Sequence, residues 1–572
     1  MLRGSSLVGC ILFVSIFANA ATPPAALSPP RPKLILALVI DQFRGDYLAR
    51  FESRFLPPQG KGGEVGGFRW LMSQGAYFPQ GQFDVLQCMT GPGHAMIATG
   101  AYPYQMGIPL NGWLDPATQT WTYAISDPGA TIVGPPASTP EGAKKRARGA
   151  SPRNLKGSTF GDELKNAGYP SRVISIALKD RASIMLGGHR ADLALWFDSD
   201  AFGWVSSSFY GKTLPAWVDA LNARVAQDRG KPMIWELPKD KATGFSEEGI
   251  ITSFAKVGKG WPHHADGKEE DDVLIMPIGG DLTEEAAERA IEGLHLGRGA
   301  ATDLLSVSFS GHDYLSHHFG PNSRELEERT LHEDRLISRL LNRVRKTVPG
   351  GLKDVVVVLT GDHGVAPFTE LAKSWRLEAG QIDEGDLQKR LEARLADKFG
   401  KPGGDDKWVL KVFEFNTWLN RPKILERKLD LSAFEAEAKA LLATVPGVAW
   451  VFTRTDYEKR QLPPGILERQ ILHGYLPGRN GDVMVIPEPY FTHKEWYEVS
   501  HVTGRAYDRT VPIILAGAAL GIRPGRYATR ADVIDIAPTL SYLSGVLPPS
   551  LSEGRVLSEI LGPPAAVGPA LK

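Results

Sequence analysis

Three uninterrupted apolar runs, each ending in a patch of acidic residues, histidine or glycine, restrict the fold of this chain more than any other feature. They are LILALVI (34–40), halted by Asp41; LLSVSF (304–309), leading into Gly311-His312-Asp313-Tyr314-Leu315-Ser316-His317; and DVVVVLT (354–360), leading into Gly361-Asp362-His363-Gly364. An uninterrupted run lacks the alternation of a half-exposed strand and suits one covered on both faces, as in a parallel sheet. VPIILAG (511–517) is a fourth run of the same kind, and amphipathic stretches at 282–294 and 324–345 lie between or beside them. Buried strands alternating with helices predict a doubly wound, mainly parallel α/β sheet with helices on both faces. From 408 to 453 the order strand (WVLKVFEFN), helix (SAFEAEAKALLATV), strand (VAWVFTR) predicts a small α+β insertion in the larger fold. Residues 139–157, with Gly, Pro and the basic run KKRAR (144–148), predict a solvated loop.

Charge excludes some partners. Lys plus Arg and Asp plus Glu both number 65, so no bulk positive field exists to hold a nucleic acid or an anionic membrane. The N-terminus predicts a leader rather than an anchor: Arg3, then the apolar run Ile11 to Phe17, then the small-x-small site Ala18-Asn19-Ala20. The apolar run is far short of the ~20 residues of a membrane span. Leu7-Val8-Gly9-Cys10 matches a lipoprotein box, but its apolar stretch follows the cysteine instead of preceding it. Cleavage near Ala20 leaves Cys88 as the single thiol, which rules out an intrachain disulfide. The expectation is an exported protein, periplasmic or secreted, with a Pro-rich linker at 21–32.

In open α/β sheets, sites form beyond the carboxyl ends of the strands. Three strands that deliver Asp and His to that edge predict one cluster, and mixed carboxylate and imidazole donors suit zinc and related divalent ions. Each piece alone has a plainer reading. Asp313 and His317 are four apart and share a helical face, which also describes a surface ion pair; His318 points about 100° away. Asp362 and His363 reach one ion only if the strand has already turned, which the flanking glycines permit; otherwise they are a capping Asp and a core His. Asp41 could cap a helix. In Cys88-Met89-Thr90-Gly91-Pro92-Gly93-His94 the glycines predict a tight turn, with Thr90 at the start of a helix. A hydroxyl there would meet an anion such as phosphate, or simply cap the helix. The sulfatase pattern C/S-x-P-x-R fails here, with Thr at 90, Pro at 92 and no Arg in register.

Taken in order, Asp41, Thr90-Gly-Pro-Gly-His, Asp313-x-x-x-His317 and Asp362-His363-Gly resemble the alkaline phosphatase superfamily. Within it they resemble the bacterial threonine-nucleophile alkaline phosphatases of the PhoK/PafA type. The resemblance runs from about residue 33 to about 545. It implies a catalytic domain over 33–562 with insertions at about 110–180 and about 368–490. It also implies two zinc ions: one held by Asp41, Asp362, His363 and the Thr90 oxygen, the other by Asp313, His317 and a late histidine. That histidine is placed at His501, with His493 the alternative; the family has Gly after it, where this chain has Val502. Asn111-Gly-Trp113 resembles the family's Asn-x-Trp, whose Asn donates to a phosphoryl oxygen. Lys179-Asp180-Arg181 resembles its Lys-Asp-Arg, whose cations reach the phosphoryl group. The implied activity is that of an exported alkaline phosphatase that hydrolyses small phosphate monoesters through phosphothreonine at Thr90; its oligomeric state is left open by the sequence, with a monomer favoured. A nucleotide pyrophosphatase/phosphodiesterase is the alternative on the same scaffold. A non-catalytic zinc- or phosphate-binding protein is the alternative of another class, and a binder needs no positioned hydroxyl.

Overall fold

The apolar runs form the middle of one ten-stranded sheet in the structure, a computed structural model. It describes Met1 and residues 31–562 apart from 116–117, 237–238, 240–260, 267–270 and 495–498. The expected leader at 1–20, and most of the Pro-rich stretch after it, lie outside the described residues. In chain order the strands are β1 Leu34–Ile40, β2 Gly75–Gln82, β3 Ile132–Val133, β4 Val173–Ala177, β5 Leu193–Asp198, β6 Gly203–Ser207, β7 Asp303–Phe309, β8 Val355–Gly361, β9 Thr510–Ala516 and β10 Gly525–Arg526. Their spatial order is β10-β2-β9-β8-β1-β7-β4-β5-β6-β3.

β1 is the axis of the site. It pairs in parallel with β7 on one side and β8 on the other, so Ile40 is level with both Phe309 and Gly361. β4 and β5 continue the parallel set beyond β7. Every residue of β1, β7 and β8 is buried, as a strand covered on both faces requires. Alternate side chains of β1 enter two cores. Ile35, Ala37 and Val39 pack with α1 (Thr90–Thr99) and α3 (Asp180–Gly187); Leu34, Leu36, Leu38 and Ile40 pack with α4 (Ile278–Gly293), α5 (Gly311–Phe319) and α6 (Arg324–Thr347).

Three local expectations are revised. The fourth apolar run forms β9, which is antiparallel to both β8 and β2: an apolar run reports burial on two faces, not strand direction. The strand expected at 408–416 is a hairpin, Val409–Phe413 with Asn416–Leu419, turned through Glu414 and Phe415 at φ 49° and 65°. Neither residue carries the Asn or Gly signal of such a turn. With Val448–Thr453 and Val483–Pro487 this hairpin makes the four-stranded sheet of the small α+β unit, on which helix Leu431–Leu442 packs. Finally, the loop expected at 139–157 contains α2, Pro140–Arg146. Thr139 Oγ1 accepts from Gly142 N at 3.0 Å, Pro140 opens the helix, and the basic run occupies its last turn and the residues beyond it.

Candidate active site

Parallel register brings the three strand ends together. Asp41 leaves β1 fully buried and caps no helix; the next helix, Tyr47–Arg50, has Asp46 at its N-cap. One turn of α5 separates Asp313 from His317, with 3.1 Å between Oδ1 and Nε2. Past Gly361 of β8, His363 Nε2 lies 3.4 Å from Asp41 Oδ1 and 3.6 Å from Asp362 Oδ2. His501 Nε2 reaches to 3.7 Å from Asp313 Oδ1. His493 belongs to neither of the two groups that converge, and its Nε2 lies 2.9 Å from Ser500 Oγ. Among the described residues two groups converge, Asp313 with His317 and His501, and Asp41 with Asp313 and His363. In each group the donor atoms lie within 4.8 Å of one another. Asp313 therefore stands between the two centres, where the resemblance gave it to one.

The imidazoles are held in one tautomer. His317 Nδ1 lies 2.7 Å from Val499 O, His363 Nδ1 3.0 Å from Gly364 O, and His501 Nδ1 2.7 Å from Cys88 O. A carbonyl only accepts, so each Nδ1 carries the proton and each Nε2 turns its lone pair into the cluster. Burial pushes His363 and His501 down, toward the neutral ring. Burial acts the same way on His317, but Asp313 beside it outweighs this and its direction is upward.

The donor set fits divalent cations. Asp41 Oδ1 and His363 Nε2 have no hydrogen-bond partner among the described residues. Lys179 Nζ lies at ion-pair distance from two of the three buried carboxylates, 2.7 Å from Asp41 Oδ2 and 2.5 Å from Asp313 Oδ2. Burial and the neighbouring Asp362 carry Asp41 well above the usual carboxylate range. Against its own burial, Asp313 is held well below that range by Lys179 and His317. Orphaned carboxylate and imidazole donors around a common centre call for more positive charge than one lysine supplies.

Thr90 occupies the first turn of α1, whose N-cap is Met89, and its side chain caps nothing. Instead Oγ1 lies 3.4 Å from Lys179 Nζ and 3.4 Å from Arg181 Nη2. The glycines form the first helical turn rather than a separate tight turn. A Cβ on Gly93 would lie 2.3 Å from the Asp362 carbonyl oxygen, so only glycine lets α1 come this close to β8. Asn111 Oδ1 accepts from Gly91 N at 2.8 Å, which leaves its NH2 group to donate elsewhere. Beside Lys179 and Arg181 opens a cavity of about 430 Å³.

Two residues at the site had no role assigned from the sequence: Gln42, which no motif included, and His94, present only as the end of the Thr90-Gly-Pro-Gly-His motif. Gln42, fully buried at φ 62°, donates its backbone N–H to Asp362 Oδ1 at 2.9 Å and its side-chain amide to Asp313 Oδ1 at 2.5 Å. Its own carbonyl oxygen accepts from Ser316 Oγ. His94 lies one turn beyond Thr90, with Nδ1 2.8 Å from Thr90 O and 3.1 Å from Asp362 Oδ2. The i, i+4 spacing from Thr90 was available to find His94; no local pattern marks Gln42.

A helix-borne hydroxyl flanked by two cations, at the carboxyl edge of this sheet, defines a phosphoric ester hydrolase of the alkaline-phosphatase-like fold. The family described as Type I phosphodiesterase / nucleotide pyrophosphatase matches residues 35–503, and the chain belongs to it. It is 31% identical to alkaline phosphatase PafA of Elizabethkingia meningoseptica over 544 residues, 93% of this chain and 95% of that one. It is 30% identical to alkaline phosphatase PhoK of a Sphingomonas species, over 95% and 92% of the two chains. The crystal structure of wild-type PafA superposes with a TM-score of 0.82 at 29% identity, covering 93% of this chain and 99% of that one. A variant of PafA with a threonine, an asparagine, a lysine and an arginine replaced superposes at 0.83, with 28% identity over the same shares. Among the described residues no helix is long and apolar enough to cross a membrane.

Proposed function

We propose that this chain is an exported alkaline phosphatase that hydrolyses small phosphate monoesters through a phosphothreonine at Thr90. The observation that carries the reading is the pair of cations, Lys179 and Arg181, each 3.4 Å from Thr90 Oγ1. A monoester dianion spreads its charge over three non-bridging oxygens and rewards two cations; a diester has one charge and needs apolar room instead. Asp41, Asp362, His363 and the Thr90 oxygen would hold one zinc, and Asp313, His317 and His501 the other. When bound, these ions supply Lewis acidity to the attacking and departing oxygens.

The rest is work for the chain itself. Thr90 Oγ1 attacks phosphorus as the bond to the alcohol oxygen breaks, its hydroxyl proton passing to solvent and the departing alkoxide taking one up; water then cleaves the phosphothreonine, giving inorganic phosphate and the threonine hydroxyl. Pinned by Gly91 N–H, Asn111 points its NH2 group at one non-bridging oxygen. Lys179 and Arg181 meet the others, and the N-terminus of α1 adds its partial positive charge. The replaced residue types in the PafA variant match Thr90, Asn111, Lys179 and Arg181, which supports these assignments. The phosphodiesterase reading is favoured by the family's description. A catalytic unit over 33–562, released by cleavage near Ala20, completes the proposal.

A matched aryl monoester and methyl aryl diester decide it. The monoester is expected to have the higher kcat/KM by orders of magnitude. A preference for the diester would transfer the assignment to the phosphodiesterases. Turnover of neither, with metal bound, would make the protein a binder.

A further inference from the structure

The basic run Lys144-Lys145-Arg146-Ala147-Arg148 has no part in the chemistry above. In the fold its Lys145, Arg146 and Arg148 line the 430 Å³ cavity together with Lys179, Arg181, Tyr123 and Tyr314. Its two arginines are used differently. Arg146 is committed, with Nε 2.8 Å from Asp198 Oδ2 and Nη1 2.6 Å from Pro135 O. Arg148 donates only Nε, to Lys145 O at 3.2 Å, and no carboxylate pairs with it among the described residues. Its guanidinium lies over Tyr123, 5.8 Å from the ring centre.

Tyr123 is the link to the phosphoryl site. Its hydroxyl accepts from Arg181 Nη1 at 3.1 Å and donates to Asp180 Oδ1 at 2.8 Å. One aromatic ring thus separates an uncommitted cation from the cation beside Thr90. Three of the four acidic residues that line the cavity are occupied, and the fourth, Glu141, is exposed. Asp180 takes Tyr123 and its neighbour's N–H, Asp198 takes Arg146, and Asp200 takes the Ser138 and Thr139 hydroxyls and the Ser138 N–H. Among the lining arginines, Arg148 keeps its planar donor pair unused.

We propose that this cavity receives the leaving moiety of the ester, and that Arg148 recognises a second anionic group on it. The favoured substrates are then monoesters whose alcohol carries a carboxylate or a further phosphate, either of which fits the guanidinium fork. The inference rests on the monoesterase reading above. Because Arg148 is exposed, the contact is a modest one and is screened by salt.

The test compares para-carboxyphenyl phosphate and para-phenylene bisphosphate (first turnover) with neutral para-carbamoylphenyl phosphate. The metal-loaded wild-type enzyme is measured beside Arg148→Ala, Arg148→Glu and Lys144→Ala. Lys144 is an exposed member of the same run that does not line the cavity. The anionic-to-neutral ratio of kcat/KM is expected to fall about fivefold in Arg148→Ala and further in Arg148→Glu. The fall should vanish near ~1 M salt, where the screening length is about 3 Å. Lys144→Ala should keep the wild-type ratio. A loss confined to one arm upholds the subsite and names its group, carboxylate or phosphate. An unchanged ratio in both Arg148 variants, or an equal fall in Lys144→Ala, overturns it. Failure of the wild-type enzyme to hydrolyse the carbamoyl ester would overturn the monoesterase reading, and the subsite with it.

Discussion

The side-chain amide of Gln42 donates to Asp313 Oδ1 at 2.5 Å, while its backbone N–H holds Asp362 Oδ1 at 2.9 Å. One residue just past β1 thus orients a carboxylate on α5 and another just past β8. Gln42→Gly keeps both the N–H and the freedom for φ 62°, and removes only the amide. Zinc affinity by chelator competition is expected to weaken about tenfold or more, the usual scale for loss of a supporting contact around a metal. Unchanged affinity would show the amide to be packing alone. Chelation should abolish wild-type turnover and zinc restore it, with magnesium a poor substitute for these donors.

Thr90→Ala should fold, since only a small buried side chain is shortened, and should retain its metal on the remaining ligands Asp41, Asp362 and His363. Turnover is expected to fall on the order of 10³-fold or more, as for removal of other nucleophiles. No phosphoenzyme should appear on acid quench and mass spectrometry. Thr90→Ser should restore both within about tenfold, because the hydroxyl returns to the same helical position.

Lys179 and Arg181 are expected to separate in a second measurement. Each change to Ala should lower monoester kcat/KM about 10²-fold, ~2.7 kcal/mol, and diester kcat/KM much less. Only Lys179→Ala should also destabilise the chelated protein, by about 3–5 kcal/mol in urea unfolding. It removes the cation 2.7 Å from Asp41 and 2.5 Å from Asp313, whereas Arg181 bonds through its guanidinium to Tyr123 and Thr90 hydroxyls.

Glu333 sets a pH dependence away from the site. It is buried on α6, Oε2 has no hydrogen-bond partner among the described residues, and burial pushes its carboxyl up to about 8 against the pull of Arg329. The folded state therefore binds this proton more tightly than the unfolded chain. Its stabilising contribution is complete below the ordinary value of 4.5 and is lost as pH rises through about 8. Glu333→Gln should flatten the fall in melting temperature between about pH 5 and pH 9 and raise it at the alkaline end. A decline as steep as in the wild type would place the titration elsewhere.

Local signals carried much of this molecule. Apolar runs report burial on two faces, so the central strands were readable, as was the gathering of acidic residues and histidines past their ends: Asp41, Asp313 with His317, and Asp362 with His363. These are short-range facts, set by side-chain period and by the residues adjoining a strand. The direction of β9 and the hairpin through Glu414 and Phe415 were not readable, because neither leaves a local composition signal. That His501 rather than His493 joins Asp313 and His317 was equally distant from any local pattern, because only the packing of the folded chain brings it there. Gln42 is the plainest case. Its partners lie 320 and 271 residues away, and its reach depends on β1 lying between β7 and β8 with Ile40 level with Phe309 and Gly361. Strand order and register are global properties, decided by which faces are covered once the whole sheet has assembled.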